Sequence, residues 1–387
     1  MAVGRDEVVG LACRLLGRAF PSAPLPLSEL QAARRVLVLK PCCLGDVLLS
    51  TAALAALRSA LPDAWLAYAV GDWARAALTG NPHLDAILPC KVRGGERPRL
   101  ADYRDTVATL RRERFDVCFV LDRSPLITVL PVLAGISHRI GIDSGGRGFS
   151  LTVRVPWAEQ KHEAELYLDT VRAVGIGTTG FGMEFYPSAD DLSWARARLG
   201  ALDRLRVGTV PRVAIHPGGG VNPGMTLLAK RWPAERYVAF VLRLLEKGRQ
   251  VVLIGGSSDA EVVREVETGI GAAATSDGLL TVLGETSLGQ LAALISSCDL
   301  FVGNDTGPMH LAAAVGTPVV AIFGPSTPAM YGPYSPRARS IYRQVHCSPC
   351  FVKGRFARDC QDYICMQAVD VDHVWETAVD LVPAVGR

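Results

Sequence analysis

The chain has 387 residues, is 49% hydrophobic and 20% charged, and carries a net charge of +3. That length exceeds one ordinary core and suits two domains of roughly 150 to 200 residues each. A small net charge without a long basic run or basic–aromatic interleaving excludes nucleic acid as the expected partner. The longest apolar stretch, Val117 to Ile136, carries Asp122 and Arg123, so no membrane-spanning helix is expected.

The first expected element is an N-terminal helical extension, residues 1–33. Val8, Val9, Leu11, Ala12, Leu15, Leu16, Ala19 and Phe20 recur at helical spacing, with Arg5, Arg14 and Arg18 between them. Such a helix either docks on its own protein or lies on a membrane surface. Asp6 and Glu7 precede the apolar stretch and arginines interrupt it, which does not fit a secretion signal. The expected location is therefore the cytoplasm, with peripheral contact at the inner face of the membrane if the helix lies on lipid. Thiols stay reduced there, so the ten cysteines are not by default a disulfide framework. Cys13, Cys90, Cys118 and Cys298 sit in apolar contexts and read as core.

Val36 to Lys40 reads as a buried strand, followed by a helix from Asp46 to Ala60 and a strand from Ala64 to Val70. Further strands are expected at Ala86 to Leu88, Val117 to Leu121 and His138 to Ile142, with residues 143–160 irregular. The pattern restarts at Arg212 to His216. Next come a helix from Pro233 to Lys247, a strand from Gln250 to Ile254, a helix from Asp259 to Ile270, a strand from Leu280 to Leu283 and a helix from Ser287 to Ser297. Short apolar strands alternating with amphipathic helices predict parallel, doubly wound sheets. The fold class is α/β: two Rossmann-like domains, residues 34–195 and 205–345, facing a cleft in a GT-B architecture. The hinge is expected near 186–211, and residues 346–387 form a cysteine-containing segment and a C-terminal helix from Val371 to Val382.

The densest signal is Gly303 to Ala314, Gly-Asn-Asp-Thr-Gly-Pro-Met-His-Leu-Ala-Ala-Ala, which leaves an apolar strand and opens a helix. Asp305 or Thr306 would cap that helix, and its remaining amides, with that of Gly307, would face an anion such as a diphosphate. His310 lies one turn in, on the same face as Thr306. The plain alternative is an ordinary capped helix. His216-Pro217-Gly218-Gly219-Gly220 leaves another strand, and its backbone amides can approach phosphate. Lys230 and Arg231 precede Trp232-Pro233, a fixed helix start.

The long string from Gly303, continued by Thr317 to Pro328, resembles glycosyltransferase family nine, the heptosyltransferases. Leu44 to Thr51, Ala229 to Pro233 and Val251 to Gly256 agree in the same order. The resemblance implies a donor of ADP-heptose type and a saccharide or glycolipid acceptor, the lipopolysaccharide inner core. It implies that Asp46 is the general base and Lys230 holds the donor phosphate. It places Gly45 in a substrate-binding loop and Gly255 and Gly256 near the adenosine or ribose. An acidic residue there would be Asp259 or Glu261, and His162 to Glu165 resembles an acceptor-side segment. The bare residue Asp46 reads first as a helix N-cap, and the resemblance reverses that order. The resemblance also suggests a C-terminal helix that crosses back to the first domain. No paired Asp-x-Asp stands near the site, so no metal is expected to be required for catalysis. Other readings are a transferase with another nucleotide sugar, such as a UDP-sugar, or another acceptor, and more distantly a sugar-nucleotide epimerase.

Two features depart from the pattern. Cys42 and Cys43 precede Gly45-Asp46 and are expected to pack. Cys347, Cys350, Cys360 and Cys365, beside His346, fit a structural zinc, an iron–sulfur cluster, reduced thiols or disulfides. A metal- or redox-binding module is the corresponding non-enzymatic reading.

Overall fold

One strand order, used twice, organises the chain in the computed structural model. It describes all residues except 1–4, 93–97, 159, 205–209, 223–224, 272–277, 285, 353–354, 357–359, 361 and 387. The chain divides into two units, Met1–Gly182 and Met183–Arg387. In the first, β1 (Arg35–Leu39), β2 (Trp65–Val70), β3 (Ala86–Pro89), β4 (Val117–Val120), β5 (His138–Asp143) and β6 (Val153–Pro156) form a parallel sheet in the order β3-β2-β1-β4-β5-β6. In the second, β7 (Arg212–His216), β8 (Gln250–Gly255), β9 (Leu279–Leu283), β10 (Leu300–Asn304), β11 (Val319–Phe323) and β12 (Ala338–Tyr342) form a parallel sheet in the order β9-β8-β7-β10-β11-β12. Both are the doubly wound winding. The strand order reverses between β1 and β4, and again between β7 and β10, so the carboxyl ends of those pairs are where ligand crevices form.

The central strands are apolar because both sheet faces are covered. Leu37, Leu39, Ala67, Ala69, Cys118 and Val120 are buried in the first unit. Val213, Ile215, Val251, Leu253, Leu300, Val302, Val320 and Ile322 are buried in the second.

Several expectations change. Residues 143–160 are not wholly irregular, because β6 lies within them, and β11 and β12 were not anticipated. β6 and β12 are edge strands carrying arginine (Arg154, Arg339), and Pro156 ends β6. Charge and proline protect an open edge and mask the strand signal. The expected hinge region instead contains the Ala189–Arg204 helix, which belongs to the second unit. Gln250 Nε2 donates to Leu202 O at 2.7 Å, and Arg212 Nη2 reaches Asp203 Oδ1 at 2.5 Å. Residues 183–195 therefore leave the first domain, while the expected second start at 205 falls outside the described residues. The C-terminal helix, Val371–Leu381, packs into the core of its own unit through Val374, Trp375 and Ala378, with Trp375 edge-on to Phe240 at 6.1 Å.

The N-terminal Arg5–Leu16 helix docks on its own unit through Gly10 and Cys13. A Cβ at Gly10 would meet Gly145 O at 2.9 Å, and beyond the helix the Phe20 ring meets Phe149 at 5.6 Å. Val8, Leu11, Leu15 and Leu16 stay exposed. Among the described residues, no helix is long and apolar enough to cross a membrane.

Candidate functional site

In the first unit, Lys40 follows β1 directly, and a short loop leads into the Leu44–Ala60 helix. Cys43, not Asp46, holds the N-cap position. Asp46 lies in the first turn with Gly45, where the helix dipole favours its negative charge. Its carboxylate turns back to Lys40, with Oδ2 3.2 Å from the ammonium and the side chain 32% exposed. The Cys42 and Cys43 sulfurs are joined to each other rather than merely packed.

Lys40 is buried and also reaches Asp122 Oδ2 at 3.5 Å. Burial alone would pull its ammonium down, but Asp46 and Asp122 outweigh burial and hold it above its usual range. The other Asp122 oxygen accepts from Ser124 N at 2.8 Å. Next to it, Arg123 Nη1 meets Glu163 Oε1 at 2.8 Å and lies over the Trp157 ring. Glu163 opens the Glu163–Arg172 helix, whose cap is His162: Nδ1 accepts from Ala164 N at 3.2 Å. That helix packs on the Leu44–Ala60 helix, and Glu163 is buried. Burial pushes its carboxyl up, against the pull of Arg123.

In the second unit, the expected donor residues gather at the carboxyl ends of β7, β8 and β10. Gly218 and Gly219 are required by space: a Cβ at Gly219 would stand 2.5 Å from Leu227 O, and one at Gly218 would strike the Asp259 carboxylate and the His216 ring. Gly255 ends β8, and the Gly256 amide donates to Asp259 Oδ2 at 3.1 Å. Asp259 also meets His216 Nε2 at 3.3 Å and Arg231 Nη2 at 3.8 Å. Burial would raise its carboxyl, but His216, the Gly256 amide and Arg231 together hold it below the usual aspartate range. Of the two acidic candidates, Asp259 is the one built into the site.

Asp305 and Thr306 do not cap the Gly307–Ala314 helix with their side chains. Thr306 holds the N-cap position, but its hydroxyl lies 3.4 Å from His216 Nδ1 and donates to Asn304 O at 3.3 Å. Asp305 Oδ2 takes the Lys230 ammonium and the Ser326 hydroxyl, each at 2.5 Å. Lys230 is buried, with its ammonium 4.6 Å above the Phe351 ring. Its charge is therefore fixed in position at the helix start. An ammonium has three donors, so a phosphate oxygen can join Asp305 there. His310, one turn into the helix, is buried.

Sequence reading missed Asn304, which is fully buried and ties this site together. Its Oδ1 accepts from Trp232 N (3.2 Å) and Tyr237 OH (3.0 Å), and its Nδ2 donates to Pro217 O (3.1 Å) and Gly218 O (2.8 Å). The only signal was a polar residue at the end of an apolar strand. Lys40 was read only as the end of a strand.

Cys347, Cys350, Cys360 and Cys365 do lie near one another. Burial, then the proximity of Cys350, Cys360 and Cys347, pushes the Cys365 thiol up to about 11. Cys350 N and Phe351 N both donate to Pro325 O. Yet among the described residues no group of three or more His, Cys, Asp or Glu side chains is arranged to hold a metal ion. The Cys365 thiol lies beside Gly324.

A family model described as glycosyltransferase family 9 (heptosyltransferase) matches residues 104–360. Lipopolysaccharide heptosyltransferase 2 of Escherichia coli strain K12 is 29% identical over 316 residues, covering 79% of this chain and 87% of that protein. Two solved structures share the fold. The family 9 glycosyltransferase of Veillonella parvula has a TM-score of 0.71 at 23% identity, covering 90% of this chain and 97% of that one. The ADP-heptose lipopolysaccharide heptosyltransferase II of E. coli has a TM-score of 0.70 at 24% identity, covering 91% and 100%.

Proposed function

The chain belongs to glycosyltransferase family 9, the heptosyltransferases, and we propose that it moves a heptose from ADP-heptose to a hydroxyl of the lipopolysaccharide inner core, with inversion and without a metal. Its similarity to lipopolysaccharide heptosyltransferase 2 and to the ADP-heptose lipopolysaccharide heptosyltransferase II of E. coli supports this donor and acceptor. Asp46 takes the proton from the acceptor hydroxyl. The hydroxyl oxygen bonds to the anomeric carbon on the face opposite the diphosphate, and the carbon–oxygen bond to ADP breaks. ADP leaves with its new charge held by Lys230, the amides around Thr306 and Gly307, and His310. One pre-organised donor of this kind is worth about 3 kcal/mol, which supports stabilisation of the leaving group by these residues.

The observation that carries the reading is Asp46: an accessible carboxylate at the switch point of the first sheet, held by a buried lysine. Calorimetric titration with ADP, UDP, GDP and CDP, without divalent metal, tests the donor. Selective ADP binding is expected. Selective UDP binding would move the function to another transferase or an epimerase, and binding of none would remove the donor site.

Peripheral contact with an anionic membrane is supported by the Arg5–Leu16 helix. Val8, Leu11, Leu15 and Leu16 are each more than half exposed beside Arg14 and Arg18, and no acidic residue lies between Val8 and Ser28. Co-sedimentation with phosphatidylglycerol vesicles but not phosphatidylcholine vesicles is the expected result.

A further inference from the structure

We infer that Lys40 is the positioning residue for Asp46, holding its carboxylate aimed while Asp122 keeps the ammonium paired throughout the proton transfer. This rests on the reading of Asp46 as the base. The argument begins with charge. At the carboxyl ends of β1 and β4 and the start of the Glu163–Arg172 helix stand three carboxylates, Asp46, Asp122 and Glu163, and two cations, Lys40 and Arg123. Arg123 is engaged by Glu163 at 2.8 Å, so Lys40 answers for both aspartates. Tyr68 and Tyr167 also face Asp46. Both are buried, and burial pushes their hydroxyls well above the usual range, so they carry no charge near neutrality.

A buried ammonium left without a partner is strongly destabilising. If Asp46 were the sole partner of Lys40, protonating it would strand that charge, and the base would resist taking the proton. With Asp122 beside it at 3.5 Å, Lys40 remains paired when Asp46 is neutralised. Before the transfer, the same ammonium lies within 3.5 Å of both carboxylates and offsets their mutual repulsion. The fold builds the arrangement. Leu39 pairs with Val120 across β1 and β4, so the residues just beyond those strand ends, Lys40 and Asp122, come together.

The test is the acid limb of the pH profile of kcat/KM in wild type, Lys40→Met and Asp122→Asn. Lys40→Met removes the cation and is expected to move the limb to higher pH. Asp122→Asn removes the competing carboxylate and is expected to move it to lower pH. Opposite displacements are not produced by general damage to the fold. The same shifts are expected in the carboxyl 13C titration of Asp46, identified by its loss in Asp46→Asn, and this readout needs no substrate. Unmoved limbs and unmoved 13C titrations, with Asp46→Asn inactive, overturn the Lys40 assignment alone. Full turnover in Asp46→Asn overturns the base on which it rests.

Discussion

Asp46 lies 3.2 Å from Lys40 with its side chain 32% exposed, whereas Asp305 lies 2.5 Å from Lys230 with its side chain 5% exposed. Both aspartates follow a central strand in sheets of the same winding. The first can reach solvent and therefore a substrate hydroxyl. The second is sealed, with one oxygen taken by both Lys230 and Ser326. The fold therefore supplies the position, and the burial of each pair decides its work: an accessible carboxylate can exchange a proton, and a buried one can only hold a cation in place. The lysines differ to match. Lys40 comes from the strand end itself, and Lys230 from a loop that the Asn304 side chain helps to brace through Trp232 N.

Breaking the sealed pair should give the largest change in stability. Asp305→Asn leaves Lys230 buried without its carboxylate and is expected to cost about 3 kcal/mol or more, read by chemical denaturation. A loss below about 1 kcal/mol would show that the pair is not a structural clamp. The glycine loop comes next. In Gly219→Ala the new methyl meets the Leu227 carbonyl, which cannot yield without moving backbone. A loss of about 1 to 3 kcal/mol is expected, with weaker ADP binding by calorimetry. Wild-type stability with unchanged ADP affinity would remove this loop from the donor site.

The smallest expected effect concerns Asp259. Its carboxyl is held below the usual range in the fold, so its contribution is complete above the unfolded aspartate value, about 4, and is lost as pH falls through the folded value. Asp259→Asn should therefore flatten the acid limb of the stability curve relative to wild type. Identical slopes below about pH 4 would show that the His216–Asp259 contact contributes nothing.

Much of this was legible in the sequence because the central strands are continuous apolar runs with a helix between them. β1, β2, β4, β5, β7 and β8 could be read within a residue or two for that reason, while the equally apolar β11 was passed over inside the long motif string. The edge strands β6 and β12 could not, since arginine and proline conceal a strand that needs only one neighbour. The motifs proposed to hold the donor stood out because Gly218, Gly219, Lys230 and Thr306 lie in compact strings. Lys40 and Asn304 were not. Lys40 pairs with Asp122, 82 residues away, and Asn304 with Pro217 and Gly218, 87 and 86 residues away, and only the strand order brings such partners together. The C-terminal helix was legible from its own apolar periodicity, and Trp375 and Val374 bury that face in the core of the second unit.

The central claim is that the accessible aspartate does the chemistry. It is tested most directly by transfer rate, ADP affinity and unfolding midpoint measured together on Asp46→Asn. The expected result is turnover lowered about a hundredfold or more, with ADP affinity within a few-fold of wild type and the midpoint little changed. Near-normal turnover in that variant would contradict the account.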